Sequence, residues 1–279
     1  MSDQNVPDLR DKEALILCGG LGTRLREETE FKPKPMVEIG GRPILWHIMK
    51  IYAAFGVRKF VLCLGYRGEV IREYFRNYAL NNSSFKVELS SNRIVALGKT
   101  PVEDWEVSLV ETGAETMTGG RILRALEHIE GDNFFATYGD GVADIDVGAL
   151  YSSHVSSGAK STLTVVHPSS RFGEVQEADG LVTGFAEKPQ TTEGWINGGF
   201  FVFEKAAFAG FEARDQFVLE ADILPVLARS KDLGVYKHKG FWQCMDTFRE
   251  TQILNKLCAD GIPPWLKMGH TNGMKMHKD

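Results

Sequence analysis

The sequence predicts an α/β fold: a mostly parallel sheet covered by helices on both faces, with a smaller β-rich portion in its second half. Three observations carry that expectation. Short apolar runs without alternation, such as Ala14-Leu15-Ile16-Leu17-Cys18, suit strands buried on both faces. These runs alternate with helix-length segments as far as Val166. Beyond it the rhythm changes to short strands and turn signals, the clearest at Asp179-Gly180.

Each element follows from local chemistry. Residues 1–12 are polar and acidic and read as a flexible tail, unlike a secretion signal. Ala14 to Cys18 is the first strand. Pro43 to Phe55 is a helix, with Pro43 in its first turn and Gly56 as its stop. Phe60 to Leu64 is a strand and Glu69 to Tyr78 a helix. Val107 to Val110 and Phe134 to Thr137 are strands, separated by a helix near Ile122 to Ile129. Val147 to Ser156 is helical and Ser161 to Val166 is a strand. "GEVQEADGLVTGFAEKP" holds two short strands, and "WINGGFFVFEKAAF" one rich in aromatics. Val218 to Ala228 is a helix interrupted near Pro225, and Thr247 to Ala259 is the last long helix. One domain over residues 13–265, followed by a C-terminal tail over 266–279, accommodates all of this.

Composition narrows the function classes. Of the 279 residues, 43% are hydrophobic and 25% charged, which is enough for a sizeable core. The net charge of −5 argues against a nucleic-acid partner, while leaving room for a local cationic pocket. No apolar run reaches membrane-spanning length, so no membrane partner is expected. Cys18, Cys63, Cys244 and Cys258 are scattered in apolar contexts, as expected of buried thiols in a reducing cytoplasm.

The most informative stretch is "CGGLGTRLREETEFKPKP", residues 18–35. Glycines after a buried strand let main-chain N–H groups approach an anion. Arg24 follows Gly22 closely, and Lys34 is held between Pro33 and Pro35, which stiffen the backbone. Cations on a stiff loop beside bare amides suit a polyphosphate. The loop is neither a full dinucleotide-binding fingerprint nor a Walker loop. Leu25 replaces the last glycine of the former, no Gly-Lys-Ser/Thr follows, and Leu64-Gly65 gives no acidic residue after the second strand. An NAD-dependent oxidoreductase is therefore disfavoured.

Further candidates stand at strand ends. Asp140, between Gly139 and Gly141, suits a Mg²⁺ ligand or a turn aspartate. Asp246 suits a Mg²⁺ ligand or the cap of the helix beginning near Thr247. Asp144 and Asp146 read as caps of the helix after them. Thr118-Gly119-Gly120-Arg121 opens a helix whose amides can face a nucleotide, with Thr118 as its alternative N-cap. Asn197-Gly198-Gly199 offers an amide and exposed backbone, or a strand bulge. Glu187-Lys188-Pro189 fits a solvated turn. His47 reads as a surface or packed histidine.

Gly19-Gly20-Leu21-Gly22-Thr23-Arg24-Leu25, then Thr29, then Pro33-Lys34-Pro35, resembles the signature of the sugar-phosphate nucleotidyltransferases. "KPKPMVEIGGRPILWHIMK" is similar to the branch that joins CTP to glucose 1-phosphate. "MTGGR", "YGDGVAD", "RFGEV", "EKP", "INGGFFVF" and "GFWQCMDT" continue the likeness in order, over roughly residues 14–265. Cys18 stands where the family more often has alanine. The resemblance implies the Rossmann-like nucleotide-diphospho-sugar transferase fold, its β-rich portion binding the sugar. It implies Mg²⁺ on Asp140 and Asp246, with Arg24, Lys34 and Asp140 catalytic. Leu17, Cys18, Gly19, Gly20, Leu21, Gly22, Thr23, Arg24, Lys34, Thr118, Arg121 and Gly139 would surround the nucleotide. Lys188 would bind the sugar phosphate, and Glu187, Asn197 and Gly198 the sugar. The family commonly forms homo-oligomers, for which the aromatic C-terminal segment with Trp265 is a candidate contact. A non-catalytic nucleotide-sugar sensor would have lost at least one of Arg24, Lys34, Asp140 or Asp246, and all four are present.

Overall fold

The computed structural model describes residues 8–20, 22–98, 102–168, 174–178, 181–186 and 194–271. The main elements in chain order are β1 (Glu13–Leu17), α1 (Ile44–Ala53), β2 (Lys59–Leu64), α2 (Gly68–Arg76) and β3 (Glu106–Glu111). Then come α3 (Thr118–Ala125), β4 (Asn133–Tyr138), β5 (Gly141–Ala143), α4 (Val147–Ser157) and β6 (Ser161–Val166). The second half adds β7 (Glu174–Ala178), β8 (Leu181–Ala186), β9 (Ile196–Glu204), α5 (Leu224–Arg229), β10 (Leu233–Lys237), β11 (Trp242–Cys244), α6 (Phe248–Ala259) and α7 (Pro264–Thr271).

Seven strands form one sheet in the order β10-β6-β9-β4-β1-β2-β3. Neighbours run parallel except β9, which is antiparallel to both β4 and β6. The alternation of β-strand side chains decides which face each residue covers. Ala14 and Ile16 of β1 join a core with Ile44, Ile48 and Tyr52 of α1, while Leu15 joins the opposite core with Ile122 of α3, Phe201 and Ile223. Both faces of β1 are therefore dry, which explains an apolar run with no polar partner face. The β7–β8 pair is a separate antiparallel hairpin, at the place the turn signal marked.

Several boundaries differ from expectation for identifiable reasons. The interruption near Pro225 is a wide π-type turn over Leu219–Ile223, and Pro225 sits in the first turn of α5, where its missing N–H costs nothing. Asp146 caps α4 by accepting from the Ala149 N–H at 2.8 Å, but Asp144 does not cap it; its carboxylate lies 3.1 Å from His238 Nε2. The strands β5 and β10 carry no signal long enough to be read, whereas β11 is the aromatic strand expected before Asp246. β5 and β11 are three residues each and, among the described residues, pair only with one another. Trp265 is 2% exposed, stacked on Phe241 and donating to His47 Nδ1, so its side chain is packed within its own chain. His47 is packed, with its other ring nitrogen 2.8 Å from the Ile39 carbonyl. Among the described residues no helix is long and apolar enough to cross a membrane.

Candidate active site

Every candidate residue from the sequence that falls among the described residues lines one cavity of about 830 Å³, at the carboxyl ends of β1 and β4. That is where open α/β sheets hold ligands. Leu21, Glu187 and Lys188 lie outside the described residues.

The glycine loop leaves β1 and is anchored on both sides. Cys18 N–H donates to the Cys63 carbonyl at 3.0 Å, and the Thr29 hydroxyl bonds the Gly22 and Leu25 carbonyls at 3.0 Å each. This is what the threonine of the motif does: it closes the turn that carries Arg24. Arg121 supplies the other anchor. Its guanidinium donates to the carbonyls of Leu64 (2.9 Å), Gly113 (2.7 Å), Gly19 (2.9 Å) and Ala114 (3.3 Å) and to the Thr112 hydroxyl (2.8 Å). A β-carbon at Gly19 would overlap that guanidinium, so a side chain there would displace Arg121 from these acceptors. Arg121 is 3% exposed. It thus lines the cavity while its two terminal nitrogens bond four main-chain carbonyls and one hydroxyl. Burial works against its charge and lowers its pKa.

Opposite the loop, Lys34 stands on a short turn, Lys34–Met36, entered from Pro33 in extended conformation. Its ammonium lies 2.7 Å from Asp140 Oδ2 and also bonds Asp246 Oδ1. Arg24 reaches Asp246 Oδ2 at 3.0 Å. The aspartates are 106 residues apart in sequence and are brought together by β5 and β11. Cys244 pairs with Gly141, and the Met245 N–H donates to the Asp140 carbonyl at 2.8 Å. Asp246 is not a helix cap. Thr247 caps α6, its hydroxyl accepting from the Glu250 N–H, and the Glu250 carboxylate accepts from the N–H groups of Thr247 and Asp246. The Asp246 carboxylate is thereby free to face the cavity.

Burial disfavours the Lys34 charge, but the two carboxylates prevail and hold its pKa above the ordinary value. Burial also opposes the Asp246 charge, and Lys34 and Arg24 outweigh it, lowering its pKa. Both Asp140 and Asp246 thus converge on one cation, which is the arrangement a divalent ion held by few carboxylates needs. No cluster of three or more metal-ligating side chains exists among the described residues, so phosphate oxygens and water would complete such a site. Burial pushes the Cys18 thiol well above its usual range. It is an uncharged wall residue and no nucleophile.

On the far side, Asn197 and Gly198 line the cavity with Tyr138 and Trp242, whose indole N–H donates to the Gly198 carbonyl at 2.8 Å. Thr118 does not cap α3, since the cap position is Met117; its hydroxyl donates to Glu220 Oε2 at 2.8 Å and accepts from the Leu219 N–H. Tyr138, Trp242 and Glu220 went unmarked in the sequence. The signal for Tyr138 was available, because it ends a buried strand directly before Gly139-Asp140. None was available for Glu220.

The nucleotidyl transferase family model matches residues 13–248. A glucose-1-phosphate cytidylyltransferase of Salmonella typhimurium is 47% identical over 254 residues, covering 91% of this chain and 98% of that protein. A probable glucose-1-phosphate cytidylyltransferase of Bacillus subtilis is 42% identical, with the same coverage of 91% and 98%. Among solved structures, a putative glucose-1-phosphate thymidylyltransferase from Bacillus anthracis superposes with a TM-score of 0.64 at 14% identity, covering 91% of this chain and 98% of that one. That last likeness concerns the fold alone.

Proposed function

The chain belongs to the nucleotidyl transferase family, and on that premise we propose that it transfers a cytidylyl group from CTP to α-D-glucose 1-phosphate, giving CDP-glucose and pyrophosphate. The observation that carries nucleotidyl transfer is the convergence of Arg24, Lys34, Asp140 and Asp246 at the glycine loop within one cavity, and the choice of CTP and glucose 1-phosphate is supported by the 47% identity to a glucose-1-phosphate cytidylyltransferase.

An oxygen of the sugar phosphate attacks the α-phosphorus of CTP in line, one P–O bond forms, and the bond to the β-phosphate breaks. The attacking oxygen is already anionic, so no enzyme nucleophile or general base is needed. The work left to the protein is positioning and charge neutralisation. The amides of the loop and Arg24 hold the departing phosphates. Lys34, confined by two prolines and two carboxylates, lies at the α-phosphate and offsets its charge. Lys188 carries the sugar phosphate in, and Glu187 with Asn197 and Gly198 holds the sugar. Mg²⁺ would be held by Asp140 and Asp246, where it supplies neutralisation between the phosphates of the two substrates. A homo-oligomer in the cytoplasm belongs to the same proposal.

The test is a panel of CTP, UTP, dTTP, ATP and GTP against several sugar 1-phosphates, read by pyrophosphate release. CTP with glucose 1-phosphate is expected to be fastest. Equal or better turnover of UTP or dTTP in direct competition would overturn the cytidylyl assignment and leave the nucleotidyltransferase reading standing.

A further inference from the structure

Glu220 lies outside every motif, yet it joins three walls of the cavity. The π-type turn Leu219–Ile223 carries it there. One carboxylate oxygen accepts the hydroxyl proton of Tyr138, at the end of β4. The other accepts that of Thr118, at the start of α3, at 2.8 Å. The Thr118 oxygen accepts in turn from the Leu219 N–H at 2.9 Å. The Tyr138 oxygen accepts from Asn197 Nδ2 of β9 at 2.9 Å, and Asn197 Oδ1 accepts from the Gly199 N–H at 2.8 Å. The tyrosine ring is fixed as well. Gly199 has φ +79° beneath it, and a side chain there would overlap the ring. Thr118, Tyr138 and Asn197 all line the cavity.

We propose that Glu220 is a positioning residue that sets the hydrogen-bond polarity of the sugar-facing wall. A carboxylate accepts and does not donate. The protons of both hydroxyls therefore point at Glu220 and away from the cavity. The Asn197 amide is oriented by the Gly199 main chain, and one of its two N–H hydrogens is committed to Tyr138. The wall then presents two things to a ligand: remaining lone pairs on Tyr138 and Thr118, and the second Asn197 N–H. A sugar hydroxyl satisfies both, because it donates and accepts. A fluorine in its place cannot donate and leaves a lone pair of the wall unmatched. Glu220 is not needed to hold its segment in place. The Met117 N–H donates to the Asp215 carbonyl (2.7 Å), the Gly120 N–H to the Phe217 carbonyl (2.9 Å), and the Thr116 hydroxyl to the Asp215 carboxylate (2.9 Å). The inference rests on the reading of a sugar 1-phosphate as the second substrate.

The experiment measures kcat/KM for glucose 1-phosphate and its 2-, 3-, 4- and 6-deoxyfluoro analogues at saturating CTP, in wild type, Glu220→Gln and Tyr138→Phe. Gln fills the same space but can donate, so it can reverse either hydroxyl. Wild type is expected to lose about tenfold or more on at least one fluorosugar. Both variants are expected to lose most of that discrimination, with KM for the sugar phosphate rising more than that for CTP and with an unchanged melting temperature. The double variant is expected to be no worse than the poorer single one, because both act on one chain of bonds. Undiminished fluorosugar discrimination in both variants overturns the inference, as does a parallel rise of both KM values, the mark of a mere tether. If Glu220→Gln fails to fold, Tyr138→Phe carries the same test. A wild type inactive on glucose 1-phosphate would defeat the substrate reading instead, and the wall would then be tested with fluorinated forms of the sugar 1-phosphate the wild type does use.

Discussion

Single residues decide what the cavity can do, and Lys34 shows how. Its side chain is only 12% exposed, and its charge is tolerated because Asp140 and Asp246 lie on either side. The same two carboxylates are the proposed metal ligands, so removing one should affect chemistry far more than fold. Asp140→Asn is expected to lower turnover by about 10²-fold or more while leaving the fold intact, because Asp246 still faces the Lys34 ammonium. Full activity in that variant, or in excess chelator, would remove Asp140 from the mechanism. At this scale much was legible. The loop cations and both aspartates stand at strand ends in the sequence, and the ambiguity over Asp246 had a local answer. Thr247-Phe248-Arg249-Glu250 is a capping-box pattern, which assigns the cap to Thr247 and leaves Asp246 to the cavity. Arg121 was not legible in the same way. Whether an arginine near a glycine turn meets a phosphate or five main-chain and hydroxyl acceptors depends on what the fold brings over it.

Elements with sharp punctuation were readable and those without it were not. α1 begins after Pro43, Gly56 lies just beyond its end with φ +100°, and α6 has its threonine cap. The π-type turn before α5 could not be foreseen, because it is held by tertiary bonds such as that from Leu219 N–H to Thr118. The C-terminal helix α7 crosses the boundary drawn at residue 265, and it does so to bury Trp265 against His47 and Phe241. This packing has a pH signature. Burial depresses the His47 pKa from the ordinary 6.5 to about 4. Between those values the unfolded chain binds a proton that the folded chain refuses, so stability rises with pH across the window and is lost as pH falls through it. The contribution is at most about 3 kcal/mol, at 1.36 kcal/mol per unit. His47→Gln is expected to flatten the dependence of unfolding free energy on pH between 6.5 and 4.5 relative to wild type. Parallel curves for the two proteins would show that His47 is not the group responsible.

For the whole molecule, the sheet order is the feature that makes the site and the one sequence reading could least supply. The alternation of strands and helices was enough to predict a parallel sheet covered on both faces, since both faces of β1 must be apolar. It could not show that β9 returns antiparallel between β4 and β6, nor that the three-residue strands β5 and β11 pair and set Asp246 beside Asp140. A ligand in the cavity therefore touches segments from Leu17 to Asp246 and ties together both cores. Binding only the folded state, it should stabilise the molecule as a unit, by RT ln(1 + [L]/Kd). CTP with Mg²⁺ at a hundred times its dissociation constant should add about 2.7 kcal/mol, a rise of several degrees in melting temperature for a domain of this size. At equal concentration UTP and dTTP should add less, because the shared triphosphate contacts are retained while the base is mismatched. Asp140→Asn and Asp246→Asn should each reduce the part of the shift that depends on Mg²⁺. A melting temperature that CTP and Mg²⁺ leave unmoved at millimolar concentration would mean that the cavity is not the nucleotide site, whatever activity were measured.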